Sequence, residues 1–230
     1  MLKVIGFDIG GTLMEYKDMP FSWLDYYENA LDKAAEKLRL PLTDERKRRT
    51  LEVLRSFNPK VNYREIDYTP EHIFGAACAE WDFEFDLENV IGEFFAAFNL
   101  TAYIYPESLP VLGELRSAGY KIAALTDVAT GMPDKLHRDY IPELLPYFDL
   151  YVSSITCGMR KPNPKGLNEI AEHFGVSPGE MIYVGDERKD IECAHRFGCK
   201  GVRIDRKDDN ADFGQDFTIF DLNGLKSITE

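Results

Sequence analysis

Short apolar runs recur along this chain, each ending near a small or acidic residue, and the intervals between them carry helical periodicity. Val4–Phe7, Ile122–Leu125, Leu150–Val152, Met181–Val184 and Val202–Ile204 are short, bounded and largely aliphatic, so they read as buried strands. Between them Leu109-Val111-Leu112-Leu115, Leu167-Ile170-Ala171-Phe174 and Ile191-Ala194-His195 repeat at helical spacing. Gly175 and Gly198 stand where such helices commonly close. Strand and helix in alternation imply parallel strands joined by right-handed crossovers, hence an α/β fold. Reactive residues in these sheets gather beyond the carboxyl ends of the strands. Asp8, Thr126 and Asp186 each sit at such an end, which groups them into one candidate site.

The stretch from about Glu15 to Ile104 differs in character. It shows helical patterns over Trp23–Leu38, Asp44–Phe57, Pro70–Trp81 and Leu87–Phe98. Thr69 supplies an N-cap ahead of Pro70 at the first helical position, whereas Thr43, followed by Arg46, lacks a full capping box. The chain thus divides into a core, 1–14 with 105–230, and an inserted all-helical domain, 15–104. The insert's aromatics, among them Trp23, Tyr26, Tyr27, Trp81, Phe94, Phe95 and Phe98, read as core rather than as a ligand platform. Its charge run Glu45-Arg46-Lys47-Arg48-Arg49 reads as a solvated helix face.

Separated stretches carry the chemistry: Asp8-Ile9-Gly10-Gly11-Thr12-Leu13, Thr126-Asp127, Lys161-Pro162-Asn163-Pro164, and Gly185-Asp186 followed by Asp190. Together they resemble the signature motifs of the haloacid dehalogenase superfamily, most of whose members are Mg²⁺-dependent phosphatases. The helical insert resembles that family's type 1 cap in position and character. The resemblance implies a Rossmann-like parallel sheet core with a cap that closes over the site. It also implies Mg²⁺-dependent hydrolysis of a small phosphorylated metabolite. Asp8 would be the nucleophile, forming an aspartyl-phosphate, and a metal ligand. The Gly10 carbonyl and Asp186 would complete the protein's metal ligands, with Asp190 in a supporting role. Thr126, Asp127 and Lys161 would hold the phosphoryl group, Lys161 adding the charge that transfer needs.

One residue departs from the family's phosphatase pattern, which reads Asp-x-Asp-Gly-Thr. The second Asp is the general acid/base there, and this chain has Gly10. Glycine keeps the backbone carbonyl and removes the carboxyl, a loss worth about 10²–10⁴-fold where a proton must reach the leaving group. Other readings therefore stay open. Dehalogenation of a 2-haloacid or carbon–phosphorus cleavage occurs in relatives without that Asp. The metal-free dehalogenases, though, do not need the Gly-Asp-x-x-x-Asp pattern kept here. The phosphonate-cleaving branch needs a cap lysine, and nothing singles out Lys33, Lys37 or Lys60. A phosphate- or partner-binding module without turnover is the third reading.

Composition narrows the partners. A net charge of −13 over 230 residues disfavours nucleic acid and anionic membrane, though a locally positive site can still take anionic metabolites. No apolar stretch approaches the ~18 residues of a membrane span, and the opening residues do not read as a signal peptide. Cys78, Cys157, Cys193 and Cys199 show no paired spacing, so neither zinc nor disulfides are indicated and a cytoplasmic setting is expected. His72, His137, His173 and His195 have no metal-like spacing, and oligomeric state is not legible.

Overall fold

The computed structural model describes residues 1–17, 19 and 22–229. In chain order the strands are β1 (Val4–Phe7), β2 (Met14–Tyr16), β3 (Ala102–Ile104), β4 (Lys121–Thr126), β5 (Leu150–Ser153), β6 (Met181–Gly185), β7 (Lys200–Ile204) and β8 (Phe217–Ile219). The helices are α1 (Tyr27–Leu38), α2 (Asp44–Ser56), α3 (Pro70–Ala77), α4 (Leu87–Ala96) and α5 (Ser108–Ser117). They continue with α6 (Asp134–Asp139), α7 (Ser154–Cys157), α8 (Lys165–Phe174), α9 (Arg188–Phe197) and α10 (Lys226–Thr229).

Two compact units result, one of residues 1–15, 102–127 and 141–230, the other of 16–101 and 128–140. The second therefore also takes 128–140, a stretch that the sequence reading left within 105–230. The reason is local packing: the Tyr140 ring meets Tyr16 edge-on at 5.8 Å, and Gly131 lies against the Phe74 ring.

The first unit is built on a six-stranded sheet in the order β5-β4-β1-β6-β7-β8, with every pairing parallel. All four residues of β1 are buried, as expected of a central strand covered on both faces. The chain fills one side of β1 with β4 and β5, then crosses to the other side with β6 to β8. That reversal is the switch point at which open α/β sheets bind ligands. Register fixes the site, because Phe7 lies opposite both Ala124 and Val184. The residues that follow β1, β4 and β6 therefore emerge side by side.

The α8 helix shows why the pattern folds this way. Leu167, Ile170 and Ala171 form one apolar stripe that packs with Leu125, Val152, Met181 and Tyr183, and Phe174 extends it. Gly175 and Gly198 close α8 and α9 with φ of 64° and 98°, the left-handed conformation expected of C-terminal glycines. Strand β8 was not foreseen, since Phe-Thr-Ile is too short to signal itself.

In the second unit α1 packs on α4 and α2 on α3. Thr43 and Thr69 cap α2 and α3 by accepting the N–H groups of Arg46 and His72. Helix α3 stops at Ala77, short of Trp81; the Trp81 indole instead donates to the buried Thr50 hydroxyl at 3.0 Å. The aromatics are largely core: Tyr27, Phe94, Phe95 and Phe98 are buried, with Phe74 and Phe94 edge-to-face at 5.2 Å. The basic run is answered by carboxylates, Arg46 by Asp82, Lys47 by Asp32, and Arg48 by Glu52, each at 2.6 Å. Among the described residues no helix is long and apolar enough to cross a membrane.

Leu167 is fully buried between α8 and the sheet. Leu167→Ala should cost about 2–5 kcal/mol of unfolding free energy by urea denaturation, the range of buried leucine truncations. A loss below half a kcal/mol would show that this interface is not well packed.

Candidate active site

Asp8 leaves β1 with its N–H bonded to the Val184 carbonyl at 2.8 Å, which seats it between β1 and β6. Thr126 ends β4 opposite Ser153 and is buried. Asp186 follows β6 directly, and Asp190 lies one turn into α9. The carboxylates of Asp8, Asp186 and Asp190 each offer an oxygen within 4.8 Å of the other two.

Lys161 joins this cluster from the loop before α8. Its Nζ lies 2.5 Å from Asp8 Oδ1, 2.6 Å from Asp190 Oδ1 and 3.1 Å from the Tyr183 hydroxyl. The Tyr183 O–H in turn donates to the Leu125 carbonyl at 2.7 Å, so its oxygen is free to accept from Lys161. Burial would lower the Lys161 pKa, but Asp190 and Asp8 outweigh it and hold the ammonium charged. The carboxylates respond oppositely. Burial, then the neighbouring negative charges, pushes Asp186 well above the usual carboxylate range; burial also raises Asp8, with Lys161 offsetting part of it.

Two glycines allow this crowding. Gly11 has φ of 78°, and a Cβ there would run into the Asp186 carboxylate. A Cβ on Gly185 would likewise strike Asp190. Gly10 is different: it is exposed, and a Cβ would meet nothing within 4 Å.

The donors suit a hard dication. Carboxylates at these separations repel one another, and Lys161 alone cannot balance them. Asp186 Oδ1 is buried without a hydrogen-bond partner, an atom left for something other than protein. All the candidate donors are oxygens, as Mg²⁺ prefers. The residues present therefore fit a Mg²⁺ ion.

Asp127 has a bracing arrangement. Its Oδ1 accepts the Lys161 backbone N–H at 3.0 Å, and its Oδ2 lies 3.2 Å from Lys189 Nζ and 3.9 Å from Arg160. Burial would raise its pKa, but Lys189, Arg160 and Lys161 prevail and hold it at about 2. This carboxylate tethers the Lys161 loop to the end of β4. Lys189 also pairs with Glu187 at 2.6 Å. Glu187 caps α9 in a reciprocal box with Asp190, whose Oδ2 accepts the Glu187 N–H at 2.9 Å. His195 pairs with Asp216 at 3.2 Å.

The sequence reading gave no role to Tyr183 or to Lys189. A signal for Tyr183 existed, since a tyrosine in an otherwise aliphatic strand must find a partner for its hydroxyl. Lys189 carried none; a lysine between a helix cap and an acidic residue looks like any solvated lysine.

The family model for haloacid dehalogenase-like hydrolases matches residues 2–198. The chain is similar to a glyceraldehyde 3-phosphate phosphatase of Methanopyrus kandleri, 42% identical over 104 residues, 44% of this chain and 43% of that protein. It is similar to a phosphoglycolate phosphatase of Escherichia coli K12, 29% identical over 102 residues, 44% of this chain and 40% of the other. The match thus spans less than half the length of these curated relatives. Among solved structures, a HAD phosphatase from Thermococcus onnurineus superposes with a TM-score of 0.65 at 25% identity, covering 99% of this chain and 98% of that one. A 2-haloacid dehalogenase from Pseudomonas syringae shares the fold, with a TM-score of 0.71 at 20% identity over 100% and 98% of the two chains.

Tyr183→Phe removes one oxygen and leaves the Leu125 carbonyl without its donor. It should cost about 1–3 kcal/mol in chemical denaturation, the penalty for stranding buried polar groups. An unchanged denaturation curve would show that the hydroxyl contributes nothing to the cluster.

Proposed function

The chain belongs to the haloacid dehalogenase-like hydrolases, and from that premise we propose that it is a Mg²⁺-dependent phosphatase of a small phosphorylated metabolite. One observation carries this reading: a buried ammonium, Lys161, lies between Asp8 and Asp190 while Asp186, beside them, keeps an unpartnered oxygen. That arrangement suits a site receiving both a dication and a phosphoryl group. Asp8, Asp186 and the Gly10 carbonyl would hold the ion, with Asp190 supporting. When bound, Mg²⁺ would offset negative charge on the transferring phosphoryl oxygens.

The chain's own residues account for the other steps. A carboxylate oxygen of Asp8 attacks phosphorus, the ester oxygen departs with the bonding pair, and the phosphoryl group stays on Asp8 as an acyl phosphate. Lys161 stabilises the added charge through its ammonium, and the Thr126 hydroxyl donates to a phosphoryl oxygen. Asp190 keeps Lys161 in place and Asp127 fixes its backbone. Water then cleaves the acyl phosphate and regenerates Asp8. The buried thiols of Cys78, Cys157, Cys193 and Cys199 fit a reducing cytoplasmic setting.

Asp8→Asn should abolish turnover of p-nitrophenyl phosphate while circular dichroism stays native, and EDTA should silence the native protein until Mg²⁺ is restored. Activity in Asp8→Asn within a few-fold of native would end the nucleophile assignment. Full activity on a 2-haloacid in EDTA would favour dehalogenation instead.

Gly10 supplies no proton donor, so leaving groups should separate by basicity. Aryl and acyl phosphates leave well as anions, whereas alkyl phosphates should lag by about 10²–10⁴-fold. Gly10→Asp has room for its side chain and should speed alkyl esters far more than aryl ones. Equal native rates on both classes would mean that another group delivers the proton.

A further inference from the structure

A cleft of about 720 Å³ in the first unit has Gly11 and Asp186 on its wall, so it opens on the carboxylate cluster. Its cations are not equivalent. Lys189 is answered by Asp127 and Glu187, Arg206 by Glu107 at 2.8 Å, and Arg203 by Asp205 and Asp209. Among the described residues Arg188 and Lys207 have no such carboxylate within ion-pairing distance, and of these two Arg188 is the one set on an aromatic ring. Its guanidinium rests over the Phe213 ring, 4.8 Å from the centroid. Stacking occupies the face of a guanidinium and leaves its N–H edge to other partners.

The same ring carries a second guanidinium. Arg203 also lies 4.8 Å from the Phe213 centroid, and it is buried with its Nε lacking any hydrogen-bond partner. An unfilled buried donor and an unanswered cation thus share one aromatic platform on a cleft that reaches the reacting groups. The cleft wall carries five cations and five carboxylates, so what needs a reason is that the Arg188 N–H edge and the Arg203 Nε, side by side, are left unanswered. An anion of the substrate other than the transferred phosphoryl group supplies one, because guanidinium edges match carboxylate and phosphate oxygens.

We propose that Arg188, held by Phe213 beside Arg203, binds a second anionic group of the substrate, so that the preferred substrate is a phosphate monoester that also carries a carboxylate or a second phosphate. This rests on the phosphatase reading and adds the class of substrate to it. The cleft is large enough for a small metabolite of this kind. Arg188 acts in recognition, so its removal should appear in KM more than in kcat.

The test compares esters of similar leaving group in the presence of Mg²⁺: 2-phosphoglycolate, its neutral amide, and ethylene glycol bisphosphate. Native protein should prefer the doubly anionic esters over the amide in kcat/KM. Preference for only one of them identifies that anion as the one recognised. In Arg188→Gln the preference should fall about 10–100-fold through KM, as for a lost charged hydrogen bond, and Arg188→Lys should recover part of it. A native protein without preference, or an Arg188→Gln variant that keeps it, overturns the subsite. Calorimetric titration of 2-phosphoglycolate into Asp8→Asn separates the two levels. Binding that depends on Arg188 in a chain that hydrolyses no ester, p-nitrophenyl phosphate included, sinks the phosphatase reading and leaves the anion subsite standing. Hydrolysis indifferent to Arg188 sinks the subsite and leaves the phosphatase reading.

Discussion

One buried ammonium holds the site together. Lys161 Nζ donates to Asp8 and to the Tyr183 hydroxyl, and pairs with Asp190 Oδ1 at 2.6 Å. A lone charge at that depth would carry a large desolvation penalty, and so would the carboxylates around it. Each makes the others tolerable. Deleting the ammonium would leave acidic groups within 4.8 Å of one another without the one cation that contacts Asp8 and Asp190 directly. The order of the strands, the register at Phe7 and the glycines at 11 and 185 all serve to bring these groups together.

A second set of ions sets the position of the first. Asp127, Lys189 and Glu187 link the end of β4 to the start of α9, and Asp127 reaches back to the Lys161 backbone. Three separate chain segments are therefore tied through side chains that need not touch a substrate. Low-dielectric surroundings strengthen such links and make them costly to leave half-made. Cross-links of this kind favour a site that is organised before a ligand arrives.

Much of this could be read from residues alone. The central strands were legible because parallel strands buried on both faces are short apolar runs, and α8 was legible because its stripe recurs at helical spacing. Asp8, Thr126, Asp186 and Asp190 followed from strand ends and from the motifs they resemble. What escaped notice depended on partners distant in sequence. Strand β8 exists because β7 offers it an edge, and α3 ends early because Trp81 finds Thr50. The 128–140 segment groups with the helices through rings far away in the chain. The Asp127 side chain shows the same limit: Thr126-Asp127 marked a phosphate site, but the role of the carboxylate emerges only with Lys189 and Arg160 in place.

Neighbouring glycines in one turn have opposite standing. Gly11 is locked by its backbone and by the carboxylate it faces, whereas Gly10 borders open space. Some glycine codons differ from an aspartate codon by a single base. A lineage carrying this fold can thus gain or shed a side-chain acid at position 10 by one point mutation, with no rearrangement of the strands, the ammonium or the brace. Among close descendants of one ancestor, the residue at this position should vary more freely than the residues that crowd Asp8 and Asp186.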